Sequence, residues 1–432
     1  MNLIYLEHCR LQLACLLVIL YLTFIYYKER RRYHLTDKVR LYDVLLISGI
    51  FCLMLDGITA VTVNNQDAVN DTVNLALHGA FLVSIDAMLF FLMLYTLNIT
   101  DGIPSERWKR MIIAVPFIVN AAMVLMNLNS LEYIQGETSS YSMGVSAYTC
   151  YVMAALYILL TILHVCRKWN YIESHKKVNL LTCLLVVAVV TGYQMMVPES
   201  LISSIATTII LTGVYVNQEN PAMIELSRYH SEMVVGFATL IENRDHSTGG
   251  HVKRTTQYVK LLADELRSRE VYADVLTRDY MTNLLKAAPM HDIGKIAVSD
   301  TILQKPGKLT DDEFEQMKLH AAKGGEIIKE SFGRMGNEEF LKMAYQITRH
   351  HHEKWNGKGY PDGLKGEEIP LCARIMAIAD VFDAVSADRC YRAALPLDTC
   401  FQIIAEGSGR DFEPLLAETF LQLREEIEMI KD

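Results

Sequence analysis

Two rhythms divide the chain. Up to about residue 217, long apolar runs alternate with short polar segments. Beyond residue 240, apolar residues recur every three or four positions, as on one face of a helix. Crossing hydrocarbon takes roughly 20 apolar residues. Seven runs approach that length: about 8–27, 42–63, 73–97, 111–128, 145–166, 178–197 and 200–217. The fourth and seventh are the shortest, and the last two are close enough to form a tight hairpin. The predicted fold class is all-α. A bundle of about seven transmembrane helices fills 1–217, a signalling or linker helix 218–240, and an all-helical domain 241–432.

Charge orients the runs. Lys28, Arg30, Arg31, Arg32, Lys38 and Arg40 follow the first. Arg107, Lys109 and Arg110 follow the third; Arg167, Lys168, Lys176 and Lys177 follow the fifth. The loops after the second, fourth and sixth runs carry no Lys or Arg. Basic loops stay in the cytoplasm, so the N-terminus is expected outside and the C-terminal half inside, in a multi-pass membrane protein. Asp56, Asp86 and His164 lie within apolar runs. Each is either a functional group at membrane depth or a polar contact between helices, and Asp86 is the best placed for a sensing or packing role. No motif identifies what such a sensor would detect.

Asn220-Pro221 ends one helix and can begin another. From Met223 to Leu240 apolar residues recur at helical spacing, as in a helix that carries a signal or a plain amphipathic linker. Half of the chain is hydrophobic (51%), and the net charge of −9 disfavours a nucleic-acid binder without excluding an anionic substrate. The nine cysteines form no C-x-x-C pair, so neither a disulfide framework nor a zinc knuckle is expected.

The second half concentrates unusual polar residues among apolar helical ones: His251, His291, Asp292, His320, His351, His352 and Asp380. A carboxylate such as Asp380, set among Ile375, Met376, Ile378, Val381 and Phe382, is costly to bury unpaired. A divalent cation removes that cost. The donors are nitrogen and oxygen without sulfur, which suits iron, manganese or zinc. Seven exceed the needs of one tetrahedral ion and fit two metals, with Asp292 as the natural bridge. Such a pair activates water and clamps a phosphoryl oxygen. No phosphate-binding loop or serine-hydrolase motif competes in this half.

The segment from about 230 to 430 resembles the HD-GYP domain, a subgroup of the HD phosphohydrolases. The resemblance rests on RDHSTGGH, HDIGKIAVSDTILQKPGKLT, MKLHAAKGGEII, HHEKWNGKGYPDGLKGEEIP and ARIMAIADVFDAVSADRCYR, in that order. It implies an enzyme hydrolysing cyclic di-GMP to the linear dinucleotide pGpG or to GMP. The same seven residues match the family's metal ligands, with His291 and Asp292 at the catalytic core and iron or manganese the expected pair. It also implies that two copies can pair through the linker helix.

Lys295, one turn after His291, is expected to reach the scissile phosphate. Arg389 and Arg392 are expected to hold the second phosphate, since guanidinium forks suit phosphate oxygens. Asp383 and Glu353 are expected to support ligands from behind. Tyr360 and Pro361 form a lip that can stack on a guanine or touch its phosphate, with Gly357 and Gly359 turning the backbone and Trp355 anchoring it. His350 is not expected to be a ligand. Ser247 stands where some members carry a glutamate and a third metal, so two metals are expected here. Asn356 and Cys390 depart from the pattern without removing a ligand. Two alternatives remain: a cyclic-dinucleotide-binding signalling module with little turnover, and hydrolysis of another cyclic dinucleotide such as cyclic GMP-AMP.

Overall fold

A computed structural model describes residues 8–35, 40–100, 102–104, 106–137, 139–200, 202–245, 250–332, 338–388 and 393–431. It divides into two compact units, Met1–Leu226 and Ser227–Asp432.

The first unit holds helices α1 (Arg10–Arg32), α2 (Leu41–Val63), α3 (Asp71–Ile99), α4 (Arg107–Met126), α5 (Val145–Arg167), α6 (Ser174–Met196) and α7 (Ser203–Val214). The first six are long and apolar enough to cross a membrane. The seventh expected run does not match them. Its α-helix has 12 residues and continues as a π-helical segment, Tyr215–Glu219, before α8 (Pro221–Glu242). Pro221 opens the next helix, at a position where its missing amide has no intrahelical partner to lose. One departure from an all-helical first half is a small antiparallel hairpin, β1 (Glu132–Gln135) and β2 (Ser140–Met143). Its strands have four residues each, too short for a clear alternation to show.

Tyr26, Tyr42, Leu45, Leu46, Leu53, Tyr95 and Leu211 are among the buried residues that pack α1, α2, α3 and α7 together. The Tyr42 hydroxyl donates to the Leu211 carbonyl at 3.0 Å. Arg30 does not sit among exposed loop cations. It is buried and donates to both oxygens of Asp43, at 2.7 and 2.9 Å. The polar groups expected inside apolar runs are paired. Asp86 accepts from Asn120 at 3.0 Å. His164 Nε2 lies 2.7 Å from the Thr100 hydroxyl. Asp56 accepts from Ser203 at 3.1 Å and also from Ser204.

The second unit takes most of α8 and then α9 (His251–Ser268), α10 (Arg278–Ala287), α11 (Asp300–Leu303), α12 (Asp311–Phe332), α13 (Glu338–His350), α14 (Leu371–Ser386), α15 (Leu397–Gly407), α16 (Pro414–Gln422) and α17 (Arg424–Lys431). Helix α9 is amphipathic: Val252, Thr255, Tyr258, Val259, Leu262, Ala263 and Leu266 form its buried face. That face packs on α14, which is buried almost all round. Tyr258, Phe382, Phe401 and Phe420 interlock at ring-centroid distances of 5.0–6.4 Å. This core holds α9, α13 and α14 rigidly, and each delivers a polar residue to one end.

Candidate metal centre

His251 opens α9. Its amide donates to Glu242 Oε1 at 2.8 Å, so the end of α8 caps the start of α9. The preceding Gly250 is left-handed (φ +101°), a conformation glycine adopts without strain. His291 and Asp292 lie between two three-residue-per-turn segments, Ala288–Met290 and Ile293–Ala297, rather than inside an α-helix. Pro289 tightens the first. The second passes so close to α12 that a Cβ on Gly294 would stand 1.9 Å from the His320 carbonyl oxygen. That approach brings Asp292 against His320, which is on α12. His351 and His352 follow the last residue of α13, and Asp380 comes from α14.

These elements bring all seven residues together. Asp292, His320, His351 and His352 each offer a donor atom within 4.8 Å of the others, and so do His251, His291 and Asp292. Asp292 belongs to both groups. Its Oδ1 lies 3.4 Å from His320 Nε2 and 3.8 Å from His351 Nε2, while Oδ2 lies 3.5 Å from His291 Nε2. Asp380 Oδ1 joins the other side, 3.6 Å from His251 Nε2 and 3.9 Å from His291 Nε2.

The imidazoles are set in one tautomer. Nδ1 of His291 lies 2.9 Å from the Ala288 carbonyl, that of His320 2.7 Å from Met317, and that of His351 3.0 Å from Ile347. His251 Nδ1 lies 2.8 Å from Asp383 Oδ2. Oxygens that only accept fix the proton on Nδ1 and leave Nε2 as a lone pair. Nε2 of His320 and of His351 is buried without a hydrogen-bond partner among the described residues. Nε2 of His251 faces Nε2 of His291 at 3.1 Å. Lone pairs turned on one another, beside two carboxylates, repel unless a cation sits among them. The donor set therefore fits divalent metal ions.

Electrostatics agree for three of the imidazoles, whereas at His291 burial opposes the charge but Asp292 and Asp380 outweigh it and raise the ring. Burial and the neighbouring His291 pull the His351 imidazole down to about 3; burial and His351 likewise hold His352 well below its ordinary range. Burial lowers His320 too. Neutral imidazole is the form that binds metal. Burial opposes charge on Asp292, but Lys295, His291 and His320 outweigh it and hold the carboxyl well below its usual value.

Other expected residues stand as follows. Lys295 Nζ lies 2.7 Å from Asp292 Oδ2, so it faces the centre, paired to the shared carboxylate. Asp383 backs His251 and also accepts from Arg254 Nε at 2.6 Å. Arg254, one turn along α9, is not among the expected residues; its spacing of three from His251 is the signal that points to it. Glu353 contacts the loop rather than a histidine, accepting from the amides of Asp362, Gly363 and Leu364 at 2.7, 3.1 and 3.1 Å. His350 is turned away, with Nε2 3.0 Å from Asp362. Tyr360 lies against His352, ring centroids 4.9 Å apart, and Pro361 follows it through a cis peptide. Trp355 anchors the loop as expected: its amide donates to the Asp411 carbonyl and its ring lies 5.8 Å from the Arg374 guanidinium carbon. Ser247, Arg389, Cys390 and Arg392 lie outside the described residues.

Comparison with known proteins bears on the same half. Residues 237–416 match the family model described as HD domain. A Vibrio cholerae serotype O1 protein named cyclic di-GMP phosphodiesterase is 42% identical over 216 residues, covering 50% of this chain and 44% of that protein. RpfG of Xanthomonas campestris pv. campestris, named a cyclic di-GMP phosphodiesterase response regulator, is 38% identical over 209 residues, 48% of this chain and 52% of its own. A Vibrio cholerae protein named 3'3'-cGAMP-specific phosphodiesterase 2 is 38% identical over 200 residues, 46% of this chain and 36% of its own. The chain spans about half the length of these relatives, or less.

Proposed function

We propose that this chain, whose residues 237–416 form a domain of the HD family, is a membrane-anchored, metal-dependent phosphodiesterase acting on cyclic di-GMP. The observation that carries the proposal is the sharing of Asp292 between two groups of nitrogen and oxygen donors. His251, His291, Asp292 and Asp380 would hold one cation, and Asp292, His320, His351 and His352 the other. When bound, the two cations supply Lewis-acid activation of water and of a phosphoryl oxygen; iron or manganese suits the donors best.

The protein's own groups do the remaining work. Lys295 brings a positive charge to the shared carboxylate, where a phosphate oxygen of the substrate would gain it. Asp383 and Arg254 fix the orientation of His251. Tyr360 walls the second group of donors; burial pushes its phenol up, so it stays protonated and can donate to a phosphate or base edge. Arg389 and Arg392 are assigned to the second phosphate on their chemistry.

The six long apolar helices support anchoring in a membrane. The alternation of basic loops supports an external N-terminus and a cytoplasmic metal centre. The first unit then serves as a sensor, and α8, which carries the chain between the units, is the segment through which two copies would pair.

The full chain, reconstituted and loaded with Mn²⁺ or Fe²⁺, should convert cyclic di-GMP to pGpG or GMP. Absence of turnover with tight nucleotide binding would favour a signalling module. Faster turnover of cyclic GMP-AMP would favour the second reading, for which the similarity to a 3'3'-cGAMP-specific relative is the specific observation.

A further inference from the structure

The first unit contains a cavity of ≈ 140 Å³, open to the centres of water-sized molecules. One water needs only about 10–15 Å³ on such a measure, so the space admits a compact organic molecule. Helices α2, α3, α5 and α6 line it, together with β2, Pro198 and Ser203 of α7. The wall is mostly apolar, with Phe81, Leu89 and Ala154 among its residues.

Two buried polar side chains interrupt that wall. His78 on α3 is 3% exposed. Its Nδ1 lies 3.0 Å from the Ser142 hydroxyl, and its Nε2 has no hydrogen-bond partner among the described residues. Asp56 on α2 is 2% exposed and rests on the hydroxyls of Ser203 and Ser204. Among the described residues no lysine or arginine lines the cavity or pairs with Asp56. A bound anion would face a buried carboxylate with no compensating cation. A protonated amine would find a partner in it, and a hydroxyl could hydrogen-bond it at lesser cost.

We infer that this cavity is a ligand site for a small amphiphile, one with a ring-sized apolar body and an amine or hydroxyl head. Asp56 receives the head. His78 Nε2 supplies the second polar contact. Phe81, Leu89 and Ala154 cover the apolar body. The sequence segments that supply β2 and Pro198, 128–143 and 197–202, contain no lysine or arginine, so in the orientation proposed above this part of the lining belongs to the external side. The inference concerns the first unit alone and does not depend on turnover of any cyclic dinucleotide.

The test uses the full chain in lipid nanodiscs and three probes that share a phenylethyl body and differ in the head group: 2-phenylethylamine, 2-phenylethanol and 3-phenylpropionate. Calorimetric titration should show saturable binding of the amine and the alcohol, and none of the carboxylate. Asp56→Asn should lower amine affinity at least about tenfold while leaving the alcohol within about twofold. His78→Ala should weaken both. Ala154→Leu, which fills space without touching a polar group, should weaken both at least about tenfold and serves alone if Asp56→Asn does not fold. Three results would each overturn the site: carboxylate bound as tightly as amine, binding indifferent to Ala154→Leu, or no saturable binding of amine or alcohol at millimolar concentration.

Discussion

Asp383 Oδ2 stands 2.8 Å from His251 Nδ1, and Arg254 donates to Oδ1 of the same carboxylate at 2.6 Å. Burial opposes charge on Asp383, but His251 and Arg254 outweigh it and keep the carboxyl below its ordinary range. One buried carboxylate thus sets the tautomer of a histidine while an arginine sets the carboxylate. Asp383→Asn keeps the shape and removes the charge. Metal affinity should fall about 10–100-fold with the fold retained. Metal content measured against free Mn²⁺, beside a thermal unfolding scan, checks both parts; unchanged affinity would remove Asp383 from the site.

Asp292→Ala should act on both cations at once, because both donor groups include that carboxylate. Metal content should fall from two ions to none, and turnover by a factor on the order of 10⁴. A variant that still holds two metals at wild-type rate would show that the bridge is misassigned.

Gly359→Ala should disturb the centre without altering a donor. A Cβ there would stand 2.3 Å from the Lys354 amide nitrogen and 2.4 Å from Glu353 Cα, so the loop must open. The Tyr360 ring would then leave His352. Since a displacement near 1 Å costs about 100-fold in rate, a loss of that order is expected. Near-wild-type turnover would mean that the loop does not position the site.

Acid should loosen the same loop through Asp411. Burial opposes its charge, yet Lys354 at 2.9 Å and Arg410 at 2.9 Å hold its carboxyl below the usual range. A carboxylate depressed in the folded state contributes stability above its unfolded value of about 3.9, and that contribution disappears as pH falls through the folded value. Lys354 is 47% exposed, so screening limits the pair. The whole contribution is about 0.5 kcal/mol. Asp411→Asn should lower the neutral-pH melting temperature by about 1–2 °C and flatten its dependence below pH about 4. Thermal scans across that range decide it; an unchanged acid limb counts against the pairing.

The donors were legible in the sequence because a histidine or aspartate among apolar residues is costly unless something pairs with it. Asp380 and His320 announced themselves that way. What stayed hidden depends on pairings between distant segments. Glu242 capping α9 and Glu353 bracing the 362–364 amides look like ordinary solvated carboxylates until the fold is known. The unpaired nitrogen of His78 is not legible in its apolar run; it follows from the packing of α3 against β2. The seventh run is helical over nearly its expected length, but apolar composition alone does not reveal where α-helical bonding gives way to the π segment at Tyr215.

Helix α13 stops at His350. His351 keeps the helical bond, its amide donating to the Ile347 carbonyl at 3.1 Å; had the helix run on through His352, that side chain would be turned about 100° from His351. Instead their rings lie 4.0 Å apart. The point where that helix halts is therefore a chemical specification. A substitution that lengthened it by a single turn could disarm the protein with every imidazole still spelled out in its gene.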